Sequence, residues 1–434
     1  MRILAFIIIA LLSFNSISQE QETINWINQN AIEIEDADPD TKLINFNNNI
    51  PEKFANAKIF GFGEATHHGK EFFDIKAKFF KYLVKTQEIK AFIMEDSYPA
   101  EAGINEWISG GKGDIKTIAD NFNIIPWSNQ EVVELLEWIR DYNSDKFQKE
   151  QIRFYGMDIQ HVEGINEEIR DFVKKYKVPV SEELLEIVDD CANKKVDYKN
   201  ENDWGDKEIP KLEEIEQIIL NFQSTSNQKN NQEFKYTLRA LNYLIKYTEY
   251  LQNPKSEVRD LKMYENVKWI IENEAENGKA FIWAHNEHIN NKEISPAGSG
   301  WVSVGGHLKE FYKDDYYSVY FDFGVGKVIG HVTRRNKPNY WDVYEIDKPF
   351  RKTYAKTLFK ANKDIYFIDM EEALKNSDAR SFFSDKKKQL LLGASGYSPK
   401  GKNKAMVNKK FSEICDGLIF IKRISVPNYD LNSK

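Results

Sequence analysis

Two cysteines and seven histidines in 434 residues leave little material for the chemistries that depend on them. Cys191 and Cys415 are far apart in the chain and sit in unlike contexts. Neither a disulfide framework nor a cysteine-based metal site is indicated, since neither residue has a histidine at ligand spacing. Charge of one sign is also scarce. The net charge of −8 comes from acids and bases mixed along the chain, and the lack of a basic stripe argues against nucleic acid as a partner. No apolar run is long enough to span a bilayer. The longest, Ile3–Leu12, follows Arg2 and precedes Ser16-Ile17-Ser18, the pattern of a signal peptide over residues 1–18. Removal of that segment would leave an exported chain, secreted or periplasmic, with no stable membrane insertion.

Familiar catalytic signatures are missing as well. In GFGEAT (61–66) a threonine stands where a dinucleotide fingerprint needs its third glycine, so no cofactor of that kind is expected. Trp301-Val302-Ser303-Val304-Gly305 lacks the first glycine of a nucleophile elbow, and Leu392-Gly393-Ala394-Ser395-Gly396 has the wrong spacing. His285 and His288 are three apart, one short of the zincin spacing.

What is present is a layered pattern. Residues 19–50 are polar and read as a leader that packs loosely. Ile59, Phe60 and Phe62 form an apolar strand interrupted by Gly61 and Gly63, and Phe72, Phe73, Ile75, Phe79, Phe80, Leu83 and Val84 follow at helical spacing over 71–87. Further strands are expected at 89–95, 151–157, 279–284, 365–369 and 417–421. Ser128 is placed to cap a helix reaching about residue 142, with Glu131 closing a capping box. Tyr317–Phe323 alternates, and Gly324–Gly326 reads as the turn of a hairpin into Lys327–Arg334. Between about 181 and 277 the strand signal gives way to helical stripes, an insertion suited to cap the sheet. The expected fold is α/β: residues 19–434 form a largely parallel central sheet flanked by helices, with this helical subdomain and some antiparallel C-terminal strands.

Four of the seven histidines fall at two strand ends, His67 and His68 after the strand at 58–63, and His285 and His288 after that at 279–284. Acids share those ends: Glu64 and Glu71 near the first pair, Glu95 and Asp158 after two other strands. Any one of them could be structural, an acid capping a helix or a histidine on a polar surface. Strand ends of one parallel sheet share an edge, however, so these side chains are expected to converge. An imidazole titrates near pH 6.5 and can take a proton from water, a neighbouring carboxylate fixes its tautomer, and a second imidazole or a cation can stabilise an oxyanion. The same groups could instead hold a zinc or iron ion, which leaves metal-dependent hydrolysis open.

GEATHHGKEFF (63–73), MEDSYPAE (94–101), YGMDIQ (155–160), WAHNEHI (283–289), GGHLKEFY (305–312) and CDGLIF (415–420) together resemble the erythromycin esterase family, in that family's order. The resemblance implies hydrolysis of a small-molecule carboxylic ester or macrolide lactone by activated water, without a covalent serine or a cofactor. It implies His67 as general base, Glu64 as its partner, and His285 and His288 as a second catalytic pair. Lys76 falls where the family commonly has arginine and would offer a point charge to the substrate carbonyl or oxyanion. Glu95, Asp158, Glu71 and His68 would line the substrate cleft. His68 stands where the family usually has glycine, a difference that bears on substrate choice.

Overall fold

A computed structural model describes residues 19–430, apart from 121, 124, 227–231, 276, 295–299 and 402–403. The segment read as a signal peptide lies outside the described residues. In chain order the principal strands are β1 (Ile32–Glu33), β2 (Ile59–Phe62), β3 (Ala91–Ser97), β4 (Arg153–Asp158), β5 (Ala280–Trp283), β6 (Tyr316–Val332), β7 (Tyr340–Ile346), β8 (Ile365–Asp369) and β9 (Gly417–Ile424). They belong to a mixed α/β fold that divides into two compact units. One comprises residues 1–90, 126–139 and 277–434, the other 91–125 and 140–276.

The first unit carries strands in the order β1-β8-β9-β6-β2-β5. Its centre is parallel: β2 pairs with β5 and with β6, and β6 with β9. Antiparallel pairs join β1 to β8, β8 to β9 and β6 to β7, as expected of some C-terminal strands. Helix α1 (Lys70–Gln87) follows β2 and buries Phe72, Phe73, Ile75, Phe79, Phe80, Leu83 and Val84, the face that the sequence pattern marks. The second unit holds the parallel pair β3–β4 and a helical core. Helices 182–193 and 205–225, with α3 (Gln232–Gln252) and α4 (Ser256–Asn273), occupy the stretch read as helical. Leu212, Ile215, Ile219, Leu241 and Leu244 are buried there.

Three local expectations are corrected. Gly324–Gly326 makes no turn, because β6 continues through it in register with β9, pairing Val325 with Arg423 and Gly326 with Ile424. The hairpin is closed instead beyond Val332, against β7. At Gly326, φ is +129° and a Cβ would meet the Ile424 carbonyl at 1.9 Å, so the glycine serves a close strand approach rather than a bend. The leader is also not loose. Ile27 and Phe46 are fully buried, β1 joins the sheet, and the Lys78 and Lys81 ammonium groups bind Asp36 and Asp40, each at 2.7 Å. Lastly, α2 (Gln130–Asn143) is capped one residue past Ser128, where Asn129 Oδ1 accepts the Val132 N–H at 2.9 Å. The Glu131 carboxylate accepts the N–H of Asn428.

Candidate active site

Parallel pairing of β2 and β5 sets Phe62 beside Trp283, so the turns that follow the two strands emerge side by side. Asn286 joins them. Its backbone N–H donates to the Glu64 carbonyl at 3.0 Å, its Nδ2 donates to the Phe321 carbonyl at 2.7 Å, and its Oδ1 accepts the Phe321 N–H at 3.0 Å. This approach explains Gly63, where a Cβ would lie 2.2 Å from Asn286 Oδ1. Nothing in the sequence pattern singled out Asn286, whose role depends on β6, more than thirty residues further along the chain.

Glu64 is fully buried and His67 is 5% exposed. The His67 Nδ1–H donates to Glu64 Oε1 at 2.6 Å. The other carboxylate oxygen receives the Lys76 ammonium, itself sealed from solvent and lying 4.0 Å from the Trp283 ring centroid. Helical spacing puts Lys76 on the same buried face of α1 as the phenylalanines, so its charge is directed to Glu64. A carboxylate can only accept, and this one takes the ammonium on one oxygen and the imidazole on the other. The His67 proton is therefore on Nδ1, and Nε2 carries the lone pair.

Two rings complete the setting. Trp127, fully buried, meets His67 edge-on with centroids 5.2 Å apart. The His285 ring centroid is 5.0 Å from that of His67 at an interplanar angle of 47°. His285 Nδ1 accepts the Glu287 N–H at 3.3 Å, so a neutral His285 carries its proton on Nε2. The site thus combines one imidazole able to accept a proton and another able to donate a hydrogen bond. His288 lies on the helical turn Asn286–Ile289 and is buried; the imidazole packed against His67 belongs to His285.

Glu71 binds the backbone N–H and the hydroxyl of Ser425 at 2.6 and 2.7 Å. His68 is buried beside Tyr429, with its charged form disfavoured by burial so that its pKa falls to about 4. Glu95 and Asp158 come together in the second unit on Arg259 of α4, which sequence reasoning missed. The Arg259 guanidinium donates to both Asp158 oxygens, at 2.9 and 2.7 Å, and to Glu95 at 3.4 Å. Metal binding at Glu64 would have to displace Lys76 and His67 from its two oxygens. Among the described residues, no three histidine, cysteine, aspartate or glutamate side chains are grouped to hold an ion. Cys191 and Cys415 are separate buried thiols.

A buried, tautomer-fixed imidazole–carboxylate pair at the carboxyl end of a parallel strand defines an α/β protein equipped for proton transfer. The Erythromycin esterase family model matches residues 84–424, a span that takes in His285 and begins within α1. The chain belongs to the erythromycin esterase family. It is 24% identical over 335 residues to the erythromycin esterase type II of Escherichia coli, covering 70% of this chain and 77% of that protein. It is 21% identical over 336 residues to the hydrolase-named YbfO of Bacillus subtilis (strain 168), covering 71% and 73%. A Bacillus cereus protein of known crystal structure shares the fold at a TM-score of 0.80 and 22% identity, over 94% of this chain and 99% of that one. An EreC erythromycin esterase mutant in its open conformation does so at 0.65 and 16%, over 91% and 98%. Family and relatives make the chain a hydrolase.

Proposed function

We propose that this hydrolase cleaves a carboxylic ester by direct attack of water. His67 Nε2 takes a proton from a water molecule as the resulting hydroxide adds to the ester carbonyl. Glu64 keeps the ring in the productive tautomer and stabilises the imidazolium, and Lys76 supplies the counter-charge to Glu64. The negative charge on the carbonyl oxygen is met by a hydrogen bond from His285 Nε2–H. Collapse of the tetrahedral intermediate breaks the bond to the alkoxy oxygen, which takes the proton back from His67, so acid and alcohol leave and the base is regenerated. The observation that carries this reading is the 2.6 Å contact between His67 Nδ1 and Glu64, with the His285 ring tilted against the same imidazole.

A macrolide lactone is the substrate that the family name suggests, and it is part of the proposal. The test is mass spectrometry of erythromycin, and of a panel of simple esters, incubated with purified protein. A gain of one water in the lactone, absent with His67→Ala, is the expected result. Full activity in His67→Ala would remove the base from the mechanism, and turnover of simple esters alone would move the substrate away from macrolides.

A further inference from the structure

The strand end that carries the base is held from the far end of the chain. Ser425 is fixed to the first turn of α1 by both Glu71 oxygens, and its carbonyl accepts the Lys70 N–H at 2.9 Å. Three residues on, the Asn428 N–H donates to the Glu131 carboxylate at 3.1 Å and its carbonyl accepts the Gln130 N–H at 2.8 Å, so this point is fastened to the start of α2. The next side chain, Tyr429, places its hydroxyl 2.5 Å from Nδ1 of His68, the neighbour of the base.

The chemistry of that contact has one consistent form. His68 Nε2 lies 2.9 Å from the Ala394 carbonyl, which can only accept, so the proton is on Nε2. Nδ1 is then an acceptor and the Tyr429 O–H donates to it. Burial lifts the phenol far above its ordinary range, with the Glu64 and Glu131 charges adding to the effect, so Tyr429 remains a donor. The Trp341 ring packs on the same imidazole at 5.1 Å. Both His68 nitrogens are therefore committed. The ring works as a cross-link between the catalytic turn, the 392–397 segment and the C-terminal segment, and the Leu392 N–H to Ala65 carbonyl bond at 2.8 Å runs beside it.

We propose that Tyr429 is a positioning residue of the active site: through His68 it fixes the 64–68 turn, and with it the orientation of His67 toward Glu64 and His285. The inference rests on the hydrolytic reading above for its catalytic consequence. Its physical basis is that a general base a fraction of an ångström out of place loses much of its effect, while the fold tolerates the same shift.

The test compares Tyr429→Phe, His68→Ala and the double variant in the full-length protein, with His68→Gln as a conservative replacement. The glutamine amide can accept from Tyr429 and donate to Ala394. Tyr429→Phe is expected to lower kcat about tenfold with KM within about twofold, since one ordered hydrogen bond is lost and substrate contacts are retained. The double variant should be no slower than His68→Ala. His68→Gln should recover most of the rate, but only while Tyr429 is present. Nitrogen NMR of the histidine rings supplies a readout independent of turnover: the His67 signals should shift in Tyr429→Phe. Unchanged His67 signals with an unchanged kcat would overturn the proposal, as would losses in the two single variants that simply multiply. A wild-type protein inactive on every ester tested would defeat the hydrolytic reading instead, and the His67 resonances would still decide whether Tyr429 controls that ring.

Discussion

Glu64 and Asp322 are carboxyl groups of one unit, on chain segments that run through neighbouring parallel strands, and both are closed to solvent. Glu64 is given a cation and an imidazole. Asp322 receives the Phe323 N–H at 2.9 Å on Oδ1, and its other polar neighbour is the side chain of Gln389. Burial then pushes the Asp322 pKa up to about 8. Both carboxyls are buried, and what differs is the counter-charge: the fold commits a buried lysine to the carboxylate that binds His67, and burial without such a cation favours the protonated form of Asp322.

The strongest way to break this contrast is Glu64→Gln. An amide can offer its NH₂ to His67 Nδ1 and so favour the wrong tautomer, and kcat should fall by about 10³- to 10⁴-fold. Steady-state kinetics would check this, and a loss under tenfold would deny Glu64 its orienting role. Lys76→Met comes next. It strands a buried charge on Glu64, and breaking such a pair typically costs about 3–5 kcal/mol of stability and here about 100-fold in rate. Denaturant unfolding should show the Glu64→Gln/Lys76→Met double variant to be more stable than Lys76→Met alone, since no buried charge is left unpaired.

Those variants also mark how far the sequence could be read. Glu64, His67 and His285 were legible because each ends an apolar strand, and strands of a parallel sheet share an edge. Lys76 was expected to offer its charge to the substrate, and its partner in the fold, Glu64, was not foreseen. Helical periodicity shows that it shares a face with Phe72, Phe73, Phe79 and Phe80, but no spacing rule tells that the ammonium is spent on Glu64. Tyr429 lies 361 residues from His68, and Arg259 lies 101 from Asp158. Such contacts are made by tertiary packing and leave no periodic trace. The glycines at 324–326 misled for a related reason, since a glycine needed for close strand approach looks the same in sequence as one needed for a turn.

Asp322→Asn sharpens the other half of the contrast. The folded protein keeps a proton on Asp322 up to about pH 8, whereas an unfolded aspartate releases it near pH 3.9. The folded state therefore binds more protons between these values. The stability due to this group is fully present below about pH 4 and is lost as pH rises through about 8. Asparagine cannot ionise, and its NH₂ can serve the Gln389 Oε1. Thermal unfolding should show the variant near wild type at pH 4–5 and more stable at pH 8.5, by an amount on the order of a few kcal/mol. Equal pH slopes for the two proteins would mean that Asp322 is ionised in the fold.

The smallest effect belongs to an ion pair that water can reach. Lys53 and Glu371 meet at 3.2 Å with nearly half of each side chain exposed. Solvent already stabilises both charges, so pairing them adds little, and salt screens what it adds. Glu371→Gln should alter unfolding stability by less than about 1 kcal/mol, and by less still at high salt. The three carboxyls then form a series in which exposure and counter-charge, rather than contact distance, decide the consequence of neutralisation: a rate and tautomer at Glu64, a pH slope at Asp322, and almost nothing at Glu371. A loss at Glu371 comparable to that from Lys76→Met would break the series, because contact distance would then predict the outcome better than burial does.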